Sequence, residues 1–197
     1  MAEAVPRSRR RLGPQDWAQA ALDALAEGGL AAVAVEPLAT RLGATKGSFY
    51  WHFAHRDALV TAALQLWETR HNEAIGAALD AEPDPRRRLR ALFAQAAEGS
   101  SQDRVELALL AAAGDPVVGP VLQRVTARRV AYVAGIFAEL GLPPEDALAR
   151  ALIGFSTYLG HTHLAQVAPR LLPRGPAAGG AYLDRAVALL TVDLPAR

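Results

Sequence analysis

The sequence predicts an all-α protein of about nine helices. Alanine and leucine dominate it, no run shows period-two alternation of β-branched residues, and every gap between periodic segments holds Gly, Pro or both. At 51% hydrophobic and 21% charged, the 197 residues suffice for one large domain or a small domain joined to a larger one. Disordered, collagen-like and coiled-coil classes are excluded by the same figures.

Each element has a local reason. Pro14 to Glu27 places Trp17, Ala20, Ala21, Ala24 and Leu25 on one stripe, and Gly28-Gly29 supplies a left-handed stop. A short helix from Val35 to Leu42 ends at Gly43, and the next begins at Thr45, whose hydroxyl can accept a first-turn N–H. A long helix follows from about Arg56 to Ala81, stopped by Glu82-Pro83-Asp84-Pro85. Further helices are expected over Pro85 to Glu98, Ser101 to Ala113, Pro116 to Leu140, Pro144 to Val167 and Ala177 to Leu194. Leu171 to Gly180, rich in Pro and Gly, reads as a loop. The expected division is residues 1–56, an N-terminal arm and three short helices, and residues 57–197, a larger helical body.

Composition narrows the chemistry. The absence of cysteine excludes disulfides, thiolate metal sites and a Cys nucleophile, and a reducing compartment fits. The N-terminus MAEAVPRSRRRLGP has no apolar stretch behind its arginines, so no secretion signal is read and a cytoplasmic location is expected. Residues 151 to 169 lack Asp, Glu, Lys and Arg, yet Ser156, Thr157, His161, Thr162, His163 and Gln166 make them a buried interface helix rather than a membrane span. Net charge is +1, divided as +2 over residues 1–56 and −1 over the rest, too small an excess to establish a nucleic-acid partner. Of 21 basic residues 20 are arginine, and the only lysine is Lys46.

Val35 to Phe53, VEPLATRLGATKGSFYWHF, has the grammar of a helix-turn-helix. Leu38 and Leu42 face a core, small Ala39 admits a close second helix, and Gly43 can take the positive φ of a sharp turn. Phe49 and Phe53, spaced i, i+4, would hold the second helix to that core. Its other face presents Lys46, Gly47, Ser48, Tyr50, Trp51 and His52. An N-terminus with free N–H groups attracts phosphate, and Thr45 and Lys46 reinforce this. Small Gly47 and Ser48 permit deep entry into a major groove, while Tyr50 and His52 can donate to phosphates at its rim. Spacing alone also admits a short amphipathic helix whose aromatic residues merely pack.

The run AALDALAEGGL, then VEPLATRLGATKGSFYWHF and HRDALV, resembles the DNA-binding domain of the TetR family of bacterial regulators, over about residues 14 to 62. The resemblance rests on Gly47, Ser48, Phe49, Tyr50, Trp51, His52 and Phe53, followed by Arg56, Asp57 and Leu59. It implies an all-helical homodimer that represses promoters and is released by a small ligand bound in its C-terminal body. On the same basis Thr45 would cap the recognition helix, Lys46, Tyr50 and His52 would hold phosphates, and Gly47, Ser48 and Trp51 would face bases of an operator duplex. Two departures stand out: Ala34 where the family usually caps the second helix with Ser or Thr, and Glu36 where relatives are often basic. Both imply modest intrinsic DNA affinity. Arg7, Arg9, Arg10 and Arg11 read equally as a DNA-contacting arm or as a solvated tail.

In the body, Trp67, His71, Phe93, Tyr132, Phe155, Tyr158 and His161 are the residues expected to line an effector cavity, with Phe137 and His163 also able to do so; each can equally be core. The small-molecule effector is expected to be largely apolar, because few charged groups stand among these residues. His161 and His163 lie about 200° apart on a helix and cannot chelate one metal, and Ser48 and His52 have no carboxylate to orient them as a dyad. No metal, cofactor, membrane or enzymatic role is expected. Gly154, Ser156 and Gly160, with Tyr182, Leu183, Ala186, Val187, Leu190 and Val192, are expected to form a homodimer face. The alternative is a dimeric helical carrier of apolar ligands, or an interaction module, with a vestigial helix-turn-helix.

Overall fold

A computed structural model of the chain describes residues 12–97 and 101–194, and the arginine arm lies outside them. Among the described residues there are nine α-helices and no strand: α1 (Pro14–Gly28), α2 (Val35–Arg41), α3 (Lys46–Tyr50), α4 (Arg56–Ala81), α5 (Pro85–Ala97), α6 (Ser101–Ala111), α7 (Val118–Glu139), α8 (Pro144–Val167) and α9 (Pro176–Leu190). A 3-10 turn, Leu30–Ala32, joins α1 to α2. No helix among the described residues is long and apolar enough to cross a membrane.

The helix ends follow their side chains. Asp16 Oδ2 accepts the Gly13 N–H (2.8 Å) at the start of α1, whose far end meets Gly29 at φ 70°. Gly43, at φ 61°, makes the turn between α2 and α3. Three expected boundaries shift. Asp115 Oδ1 accepts the N–H groups of Val117 (2.8 Å) and Val118 (3.2 Å), so α7 starts at Val118 rather than Pro116 and α6 stops at Ala111 rather than Ala113. The α9 helix ends at Leu190 rather than Leu194, where the Thr191 hydroxyl turns back to the Val187 carbonyl (2.8 Å). The recognition segment is a five-residue helix, with Trp51 and His52 in the turn after it.

Two clusters build the core. One runs without interruption from Trp17, Leu25 and Leu38 through Phe49, Leu64 and Trp67 to Leu109, Leu122 and Val125, so the three-helix head is welded to α4, α6 and α7. The other joins Leu89, Ile136, Phe137, Ala151 and Leu190 deeper in the body. The α1 helix packs on α4 and α6, α7 lies along α8, and α5 lies against α9. An ion pair and a hydrogen bond brace the helices: Arg124 grips both oxygens of Glu68 (2.8 and 2.7 Å) between α7 and α4, and Arg70 of α4 donates to the Gln19 amide oxygen of α1.

Candidate nucleic-acid interface

Five residues cannot hold a helix by propensity, so α3 depends on what anchors it. Phe49 is fully buried, edge-on to Trp17 with ring centroids 5.5 Å apart, and stacks on Phe53 at 5.6 Å. At the N-terminus the Thr45 hydroxyl accepts the Ser48 N–H at 3.1 Å, while the Ala34 side chain caps nothing on α2. Arg56, at the head of α4, donates from Nε to the Val33 carbonyl (2.7 Å) and from a terminal nitrogen to the Leu30 carbonyl (2.6 Å). That clamp fixes the segment leading into α2.

With one face locked, the other is open. Lys46, Gly47, Tyr50, Trp51 and His52 are exposed and Ser48 is half-buried. Trp51 is the extreme, 86% exposed, and Tyr50 is 56% exposed. Lys46 does not stand free: its Nζ lies 2.5 Å from Glu36 Oε1 across the turn. Their hydrogen bond and charges hold the Lys46 ammonium above, and the Glu36 carboxyl below, their ordinary pKa ranges. Arg41 is likewise held, bidentate, by Glu27 (2.8 and 2.7 Å). Neither pairing was visible in the local sequence, since each joins different helices.

Residues 19–63 match the family model of bacterial regulatory proteins, tetR family. The match spans most of the three-helix head and the first turns of α4, under a quarter of the chain. Solved structures repeat the fold at low identity. A transcriptional regulator from Rhodococcus sp. RHA1 is 22% identical, with 94% of this chain and 100% of that one covered and a TM-score of 0.80. A TetR-family regulator from Agrobacterium tumefaciens is 17% identical, covered 93% and 100%, with a TM-score of 0.74. FadR from Bacillus subtilis, in complex with stearoyl-CoA, is 14% identical, covered 93% and 100%, with a TM-score of 0.68. At such identities the likeness is one of fold. No curated protein matches the sequence.

The body residues expected at an effector cavity fall into separate groups. Trp67 is buried in the core cluster shared with the head, its indole Nε1 without a hydrogen-bond partner, and the His71 ring lies tilted against it with centroids 4.5 Å apart. Phe93, Tyr158 and His161 meet around a cavity with Tyr182, Leu183 and Ala186, but its volume of about 10 Å³ is barely that of one water. Tyr132 points a buried hydroxyl that has no partner. The Arg129 guanidinium lies over the adjoining rings of Phe155 and Tyr158, 5.0 and 4.6 Å from their centres.

That guanidinium belongs to a buried ionic cluster the sequence reading did not single out. Glu106 of α6, 1% exposed, accepts from Arg129 of α7 (2.6 Å) through one oxygen and from the Tyr158 hydroxyl of α8 (2.6 Å) through the other. Burial, then the Glu106 charge, pushes the Tyr158 phenol above its ordinary range. Burial lowers the Arg129 pKa, but Glu106 more than offsets it and the group stays firmly charged. The one sequence signal was a lone acid inside the apolar run Val105 to Ala113.

A larger opening lies elsewhere. An open groove of about 840 Å³ runs between α6, α7 and α8, walled by Leu110, Leu122, Val130, Leu148 and Leu152, with Asp115, Gln123 and Thr126 as polar points. Its wall carries no Lys, Arg or His. None of the seven aromatic and histidine residues expected at an effector cavity lines it. Among the described residues no group of three His, Asp or Glu could hold a metal ion.

The expected dimer face needs rearranging. Gly154 is consumed within the chain, where an added Cβ would sit 3.3 Å from Phe93 Cζ, and Leu190 and Val187 pack in the second core cluster. The apolar residues left in water are instead Ile153, Leu164 and Val167 on α8 and Leu189 and Val192 at the end of α9. Ser156 and Gly160 are exposed on that same side of α8.

Proposed function

We propose that this chain is a homodimeric, ligand-responsive repressor that binds an operator duplex through α3 and is released from it by a small, largely apolar effector. One observation carries the reading: a short helix pinned by fully buried Phe49 turns its entire polar face, Lys46 to His52, toward solvent. In this reading Gly47, Ser48 and Trp51 meet base edges, Lys46, Tyr50 and His52 meet phosphates, and Thr45 preserves the helix start. Residues 1–56 form the reading unit and 57–197 the effector and dimerisation unit, although one hydrophobic cluster joins them.

Selection of bound fragments from random duplex DNA tests it. Enriched sites with two half-sites about one helical turn apart are expected for a dimer whose heads reach successive major grooves. Absence of enrichment with the full chain at low salt refutes the reading.

The effector is assigned to the groove between α6, α7 and α8. Its volume falls within the range of small-molecule sites, and its mostly apolar wall, with Asp115 as the one charged residue and no base, suits a hydrophobic molecule without negative charge. FadR from Bacillus subtilis holds stearoyl-CoA, whose long acyl chain supports an apolar portion in a ligand of the body, while its charged CoA head has no basic counterpart in this groove wall. Repression rather than activation follows the family's usual arrangement. The groove also suits the second reading, a carrier of apolar ligands, which gains from the pairing of Lys46 and Arg41 with carboxylates. A duplex selection without enrichment, alongside thermal stabilisation by neutral apolar compounds, favours the carrier.

A further inference from the structure

We propose that Glu36 is a built-in counter-ion that holds down sequence-independent affinity for DNA by neutralising Lys46 at the leading end of α3. The proposal rests on the reading of α3 as a DNA interface and adds a residue to it that makes the contact weaker rather than stronger.

The charges of the described head are closed among themselves. Between residues 12 and 56 there are three cations, Arg41, Lys46 and Arg56, against four carboxylates, Asp16, Asp23, Glu27 and Glu36. Arg41 is bidentate to Glu27, and Arg56 is committed to the Leu30 and Val33 carbonyls and to Asp57 (3.3 Å). Lys46 is therefore the cation on the α3 face best placed to reach a phosphate, and its ammonium is bonded to Glu36 at 2.5 Å. Both partners are more than half exposed, 54% and 73%, so neither is buried by the fold and the pair is accessible to a duplex. The first-turn N–H of Ser48 is already taken by Thr45 and adds nothing for an anion.

A phosphate approaching Lys46 must displace a carboxylate or accept one beside it. Counter-ion release depends on uncompensated positive charge, so a lysine already neutralised by glutamate contributes no net release, whereas a bare lysine contributes a slope of about −0.9 in log K against log salt. Because phosphate contacts carry no sequence information, the attenuation applies equally to operator and random duplex. Base reading by the remaining face then makes up a larger share of the total.

The test is a salt titration of the full chain on two duplexes, one recovered by selection and one random, read by fluorescence anisotropy. Glu36→Gln keeps the side chain's size and lies at an exposed site. It should steepen the slope by about 0.9 per engaged head, so that its advantage over wild type grows about 3.5-fold between 200 and 50 mM salt, on both duplexes alike. Lys46→Ala should flatten the slope by a similar amount, and the double variant E36Q/K46A should return it to the wild-type value. An unchanged slope for Glu36→Gln, with wild type binding normally, overturns the counter-ion role alone. An effect confined to the selected duplex also overturns it, since Glu36 would then be reading a base such as cytosine. Failure of wild type and Glu36→Gln alike to bind either duplex at 50 mM removes the DNA interface itself, and the proposal with it.

Discussion

Replacing Phe49 by alanine tests whether the fold of the head produces its binding face. The ring is fully buried, lies edge-on to Trp17 at 5.5 Å and stacks on Phe53 at 5.6 Å. Truncating a buried phenylalanine costs about 3–5 kcal/mol, in which the lost aromatic pairs account for about 0.5–1.5 kcal/mol each. Against a total stability on the order of 5–15 kcal/mol, that is about a fifth of the whole at the least. The loss should not spread evenly, because α3 has five residues and Phe49 is its one fully buried member. Urea unfolding of the full chain should show a midpoint reduced in proportion, and near-ultraviolet circular dichroism should lose the Trp17 signal before the body unfolds. Phe49→Leu, which keeps most of the volume, should cost far less. Duplex binding should fall more than tenfold for the alanine variant and remain measurable for the leucine variant. A Phe49→Ala chain within about 1 kcal/mol of wild type, or one that binds DNA undiminished, refutes the claim that this contact shapes the interface.

Three further outcomes follow from the body. Glu106→Ala leaves the Arg129 guanidinium buried without its carboxylate and should cost about 3–5 kcal/mol in urea melts, whereas the double change Glu106→Leu with Arg129→Met should recover most of it; equal losses in both would refute the ionic account. Tyr158 has a raised pKa, so its contribution is complete below the ordinary phenol value near 10 and is lost as pH climbs above it. Wild type should therefore lose stability between pH 10 and 11 more steeply than Tyr158→Phe, and parallel curves would count against burial of that hydroxyl. Ile153→Glu places a charge in the exposed apolar stripe of α8 and should halve the mass seen by light scattering at micromolar concentration, with an unchanged circular dichroism spectrum; a wild type that is already monomeric removes the dimer.

Much of this architecture can be read one residue type at a time. Gly29, Gly43, Thr45 and the Pro residues that open helices act through their own backbone or their nearest turn, and the helix limits they set lie within a few residues of those observed. Phe49 and Phe53 declare their role through spacing alone. What the sequence does not show are the effects that act across helices. Glu36 and Lys46 are ten positions apart and meet only because the turn at Gly43 folds one helix onto the other. Glu106, Arg129 and Tyr158 come from three helices. Gly154 has the small-residue look of an interface between chains, yet the space it leaves is filled by Phe93 of the same chain. The groove is hardest of all to anticipate, because Leu110, Leu122 and Leu152 are of the same residue type as the core, and only their exposure to an opening distinguishes them.

The placement of α6 gives the proposed ligand response a physical route. Val105 and Leu109, four residues apart, belong to the cluster that contains Trp17 and Leu25, so one side of α6 is seated on α1 of the head. Glu106, about 100° around the helix, is bonded to α7 and α8, and Leu110 forms part of the groove wall. An apolar molecule wedged at Leu110 therefore presses on a stiff rod about 16 Å long whose middle is tied to the body by charge and whose flank carries the head. Side-chain packing this dense does not absorb a shift of an ångström locally; it passes the shift to the next rigid element. Coupling still requires that the ligand bind one α6 position more tightly than the other. The Glu106 bonds tie the middle of α6 to α7 and α8, and its Val105–Leu109 side is packed on α1, so a displacement of α6 at the groove has to be met by both the ionic cluster and the head.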